Sequence, residues 1–156
     1  MKRIVLLVLA VSLAAVPSAA AKKPPSFALW TAKWKAQTDA PKNKLEDTCL
    51  KVYGQTADRK VGACFVKGMR ALLRQEQPLW EKQVAAISRG QTASCRKAIH
   101  AYWLASGKAQ KASLIYLDSH QHVSVTDIAR DLQEDPYATL KAQTDAAKKR
   151  AIQVCG

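Results

Sequence analysis

Acidic side chains are scarce in this chain. Twelve Asp and Glu stand against 25 Lys and Arg, for a formal net charge of +13. An imbalance of that size speaks to partners and solubility rather than to fold. Long apolar runs are absent after the first 21 residues, so no later segment is expected to span a bilayer. No stretch alternates apolar and polar residues over a useful length, which removes β-strands from the expected fold. The four cysteines include no closely spaced pair of the zinc-ribbon or thioredoxin kind. There is no nucleophile-elbow motif, phosphate loop or dinucleotide fingerprint, and no tandem repeat or low-complexity tract. The chain therefore offers no catalytic motif, and no cofactor is expected.

What is present begins with the N-terminus. Lys2 and Arg3 precede an apolar run over residues 4–16, Pro17 breaks it, and Ala19, Ala20 and Ala21 supply small residues. This pattern reads as a secretory signal peptide over residues 1–21, and a secreted or periplasmic destination follows. Residues 22–156 are then one helical domain behind a frayed leader, residues 22–25. Cleavage would remove two basic residues and no acidic ones, leaving 23 against 12, a net charge of +11. The remaining length suits one core rather than two.

The longest helical pattern covers residues 92–120. Cys95, Ile99, Tyr102, Ser106, Ala109 and Tyr116 recur at steps of four and three and share one face. Thr92 can cap its start, and Gly107 interrupts it at a cost of about 1 kcal/mol relative to Ala. Before it, shorter helices are expected over residues 26–38, 44–53 and from 58, with breaks at Pro41 and Gly54. A further helix is expected to open at Pro78, with Leu79, Trp80, Val84 and Ile87 inward. After it, Ser124 with Asp127 can cap a short helix, and Pro136 opens the last one. The expected fold is all-α: a compact bundle of about six or seven helices with two disulfides. The four tryptophans are assigned to the core or to helix contacts.

An even number of cysteines in an exported chain points to disulfides. Cys49 and Cys64 are equally far from the turn centre between Thr56 and Ala57, so an antiparallel hairpin sets them side by side. That leaves Cys95, near the start of the long helix, to meet Cys155 at the end of the last.

Few residues suggest chemistry. His120 and His122, with Asp118 and Asp127 nearby, are weak metal candidates. His100 has no partner in sequence that would make it a general base. Glu76 and Glu81 straddle Pro78 and could pair as acid and base. The best partner-facing segment is Trp30, Lys33, Trp34 and Lys35, where two rings one turn apart are flanked by cations. The favoured reading of the same rings is that they pack an N-terminal helix onto the bundle.

The run Leu114, Ile115, Tyr116, Leu117 followed by residues 123–132 resembles the first part of a bacterial helix-turn-helix domain, over about forty residues, 113–152. The resemblance implies a following helix entering the major groove. Glu134 and Asp135 precede that helix and would face phosphates, and the export signal leads away from the genome, so nucleic acid is not the expected partner. The leading expectation is a non-enzymatic exported binding protein. Its basic surface would associate with an anionic envelope polymer or membrane surface. The alternative is an interaction or inhibitor module acting on an acidic exported protein; an enzyme ranks third.

Overall fold

The computed structural model describes residues 26–121 and 123–156. The signal-peptide and leader assignments, residues 1–25, and His122 lie outside the described residues. Five helices follow in order: α1 Phe27–Tyr53, α2 Asp58–Ser88, α3 Ala93–Ser119, α4 Val125–Asp131 and α5 Tyr137–Cys155. Among the described residues there are no strands, and no helix is long and apolar enough to cross a membrane. The fold is all-α with two cysteine bridges, but it has five helices rather than six or seven.

The difference has one cause, acting twice. Pro41 lies inside α1 and Pro78 inside α2, where breaks were expected. Each proline removes one backbone hydrogen bond and crowds the carbonyl four residues earlier, at a cost of about 3 kcal/mol. The α1–α2 hairpin keeps its register across both points. Cys49 meets Cys64, Leu45 packs over Gly68, and the Trp30 indole N–H donates to Gln83 Oε1 at 3.1 Å. Each of these three pairs is equidistant from the turn between Thr56 and Ala57. A break at either proline would put the pair beyond it, Trp30 with Gln83, out of step, so tertiary contact overrides the local penalty.

The caps follow the sequence with one exchange. Ser26 and Thr92 accept backbone N–H groups at the starts of α1 and α3. Ser124 and Asp127 form a full capping box on α4. Asp58, the first residue of α2, does not cap that helix; it accepts the Val125 N–H at 3.0 Å and anchors the start of α4 to the start of α2. Gly54 and Gly90 take positive φ of 74° in the two hairpin turns.

Two apolar clusters lie along the bundle. One gathers Phe27, Trp80, Val84, Ile87, Ile99, Tyr102 and Ala151 from α1, α2, α3 and α5. The other gathers Val66, Leu73, Tyr116, Leu117 and Ile128 from α2, α3 and α4. The expected inner face of α3 is the buried one: Cys95, Ile99, Tyr102, Ser106 and Tyr116 all are. Leu79, expected inward, is 54% exposed, and Val52 is 65% exposed.

Gly62 and Gly107 differ in the space around them. A Cβ on Gly62 would stand 2.0 Å from the Val123 carbonyl oxygen, a backbone atom that fixes the α3–α4 connection against α2. A Cβ on Gly107 meets nothing within 4 Å. Alanine at either helix position gains about 1 kcal/mol in propensity. At Gly62 overpacking of about 1–3 kcal/mol opposes that gain. Gly62→Ala is therefore expected to lower the thermal midpoint by a few degrees and Gly107→Ala to raise it, measured by calorimetry. Equal shifts for both would show that the Val123 contact is absent.

Candidate functional site

One end of the bundle collects the start of α1, the end of α2, the start of α3 and the end of α5. Cys95–Cys155 joins α3 to α5 there, with the Cα atoms 5.1 Å apart. The Ser26 hydroxyl donates to the Gly156 carbonyl, tying α1 to the end of α5. Beneath lies an aromatic cluster. Trp80 is 2% exposed, with Trp30 and Trp34 tilted against it at 5.3 Å and Tyr102 edge-on at 5.4 Å. Phe27 completes it, edge-on to Tyr102 at 5.7 Å.

The surface above that cluster is strongly basic. Residues 26–34, 79–89, 93–103 and 146–156 carry eight cations: Lys33, Lys82, Arg89, Arg96, Lys97, Lys148, Lys149 and Arg150. Glu81 is the one acidic side chain in those stretches. Among the described residues, none of the eight forms an ion pair. The ion pairs lie elsewhere: Lys42 with Glu76, Arg70 and Arg74 with Asp118, Arg130 with Asp127 and Asp131, and the exposed pairs Lys35–Asp39 and Lys141–Asp145. The far end is mixed in sign, with Asp118, Asp127, Asp131, Glu134 and Asp135 close together in the chain. Charge is thus segregated along the bundle, a pattern that composition alone does not reveal.

The residues singled out in the sequence separate into groups. Trp30 and Trp34 turn inward onto Trp80, half-buried, and only Lys33 and Lys35 of that segment are exposed. The four residues therefore do not form one outward-facing patch. Glu76 and Glu81 do not meet: Glu76 faces α1 and accepts from Lys42 Nζ at 3.2 Å, while Glu81 lines a groove between α2 and α3. His100 lines the same groove, 5.3 Å from the Trp103 ring. Sequence reading missed Trp103 as a surface feature. Its position one turn after His100, off the buried stripe, was the available signal.

The His120 ring stacks on Tyr116 at 4.3 Å, with Nδ1 beside the Tyr116 carbonyl and the Ser119 hydroxyl. Asp118 is engaged by arginines and Asp127 by the α4 cap. Among the described residues no group of three or more His, Cys, Asp or Glu is placed to hold a metal ion. In the segment with helix-turn-helix resemblance, Tyr137 at the start of α5 turns inward, edge-on to Tyr116, and exposed Glu134 and Asp135 precede it.

A second concavity surrounds α4. A cleft of about 580 Å³ between α3, α4 and α5 is lined by Ala109, Leu132, Tyr137 and Leu140, with Lys141 and Asp145 at its rim. On the other side of α4, a cleft of about 220 Å³ reaches Leu50 and Phe65. Leu132, 44% exposed, borders both.

Two buried phenols add a pH dependence. Burial, reinforced by Asp145, pushes Tyr102 up to about 12. Burial first, then the hydrogen bond to Asp131, pushes Tyr116 up to about 12. Both favour the protonated form in the folded chain relative to the ordinary value of 10.0. Their stabilisation is complete below pH 10 and is lost as pH rises through about 12. Urea unfolding between pH 9 and 12 should show stability falling over that window, and Tyr116→Phe should flatten part of the fall. An unchanged profile in that variant would show that Tyr116 titrates normally.

The bridges also differ in weight. Cys95–Cys155 spans 60 residues and Cys49–Cys64 spans 15. Chain entropy assigns about 4 kcal/mol to the longer loop and about 3 kcal/mol to the shorter. The Cys95→Ser/Cys155→Ser variant should lose more stability in urea than Cys49→Ser/Cys64→Ser, with amide protection in α5 lost first; the reverse order would contradict the clamp. No known protein family, curated protein or solved structure matches this chain.

Proposed function

We propose that this is an exported binding protein whose disulfide-closed end docks on a polyanionic component of the cell envelope. The observation that carries the reading is the set of eight cations at that end with no acidic partner among the described residues. Clustered like charges repel one another and cost stability in the free protein. An anionic polymer or surface relieves that cost and releases counterions as it binds. The two bridges suit a chain that works in an oxidising compartment.

The cleft around α4 supports a second reading, an interaction or inhibitor module that takes an apolar side chain of an exported protein partner beside Leu132. A pull-down from culture supernatant would then yield one stoichiometric protein.

Co-sedimentation with anionic vesicles and isolated wall polymer at low and moderate salt tests the first reading. Each basic residue near an anionic surface contributes about 1 kcal/mol. The Lys148→Gln/Lys149→Gln/Arg150→Gln variant is therefore expected to bind about 100-fold more weakly. Arg59→Gln/Lys60→Gln/Lys67→Gln removes the same charge from the other end and should have a much smaller effect. Equal losses in the two variants, or no binding by the unaltered protein at low salt, would overturn the reading.

A further inference from the structure

We propose that the groove between α2 and α3 at the basic end is a binding subsite for an acidic glycan. The inference rests on the reading of that end as a polyanion-docking surface and names the class of polyanion. The groove has a volume of about 380 Å³ and is lined by Glu81, Val84, Ala85, Ser88, His100 and Trp103. That size is in the range of small-ligand clefts, roughly 300–1,000 Å³.

Two helical stripes form its walls. Glu81, Ala85 and Ser88 recur at steps of four and three on α2, and Arg96, His100 and Trp103 do so on α3. The loop at residues 89–92 makes the helices antiparallel, so Ser88 lies toward Arg96 and Glu81 toward Trp103. Val84, 8% exposed, belongs to the apolar floor. The groove therefore has a flat aromatic wall and a carboxylate at one end. The Ser88 hydroxyl, which donates to the Val84 carbonyl at 2.8 Å, lies toward the other, and Arg96 stands just beyond the residues that line the groove.

A sugar ring with an acidic substituent matches those groups in that order. The half-buried Trp103 indole, steadied by the His100 ring at 5.3 Å, offers a face to the C–H side of a pyranose. Glu81 accepts from sugar hydroxyls, and a carboxylate can take two adjacent ones at once. Arg96 has one N–H committed to the Gln91 carbonyl at 2.5 Å, which fixes the guanidinium and leaves other donors for an anionic group. Lys97, Lys148 and Lys149 extend the positive field for a longer chain.

Glu81 decides between a glycan and a phospholipid surface. A carboxylate amid cations weakens attraction to phosphate headgroups, yet it is the expected partner of hydroxyls.

The test is calorimetric titration of the folded, disulfide-intact protein with an oligogalacturonate tetramer, its neutral methyl ester and phosphatidylglycerol vesicles. The acidic tetramer should bind at least tenfold more tightly than the ester. Glu81→Gln should weaken tetramer binding about tenfold and leave vesicle binding unchanged or tighter, because it makes the end more positive. Simple charge attraction predicts the opposite sign for the tetramer. Glu81 is exposed, so the variant is expected to fold, and an unchanged circular dichroism spectrum checks this. Tetramer binding that is unchanged or strengthened by Glu81→Gln overturns the subsite while the basic-end reading stands. Vesicle binding without tetramer binding likewise overturns the subsite alone, and binding to neither ligand overturns both.

Discussion

The Cys95–Cys155 bridge is the constraint on which the rest of this structure depends. The apolar side chains of α5 are mostly alanines, Ala138, Ala142, Ala146, Ala147 and Ala151, and Ala151 alone is fully buried. Burying one alanine stabilises very little, because the transfer term scales with apolar area. Ala147 and Ile152 pack only partly against the core. These small side chains let α5 lie close along α3, the most extensive helix pairing among the described residues, but each buries little apolar area. The bridge places it against α3 and closes the end where α1 also arrives through Ser26. The Cys49–Cys64 bridge plays a similar part in the other hairpin, holding the register that carries α1 and α2 through their prolines.

With that end held covalently over an aromatic cluster, the chain can tolerate an arrangement that costs free energy. Among the described residues, eight cations share it without ion pairs. Proteins keep such strain where function uses it, and a region of one charge sign is useful to a partner of the other. Acidic side chains at the far end, by contrast, are spent on structure. Asp118 holds two arginines of α2, Asp127 caps α4 and Asp131 takes the Tyr116 hydroxyl.

Much of this fold was legible in the sequence, for reasons that can be traced to residues. The face of α3 was readable because its apolar positions recur at helical spacing over 27 residues. The caps at Thr92 and Ser124 were readable because hydroxyls there have few other uses. The helix count was not, because Pro41 and Pro78 are local signals overruled by contacts far away in sequence. Trp30 and Trp34 carried two readings from sequence alone, and the partner ring that draws them inward, Trp80, is fifty residues further on. The basic end was invisible for the same reason: its eight cations lie in four separate segments that only the bundle brings together. The α2–α3 groove needs the antiparallel pairing of Glu81 with Trp103, which no local pattern announces.

The central claim is that two specific bridges set the helices in this arrangement, and non-reducing peptide mapping of the oxidised protein tests it most directly. The account predicts two cross-linked peptides, one joining Cys49 to Cys64 and one joining Cys95 to Cys155, with no free thiol. A peptide joining Cys49 or Cys64 to Cys95 or Cys155 would contradict the hairpin register and the clamp on α5 together.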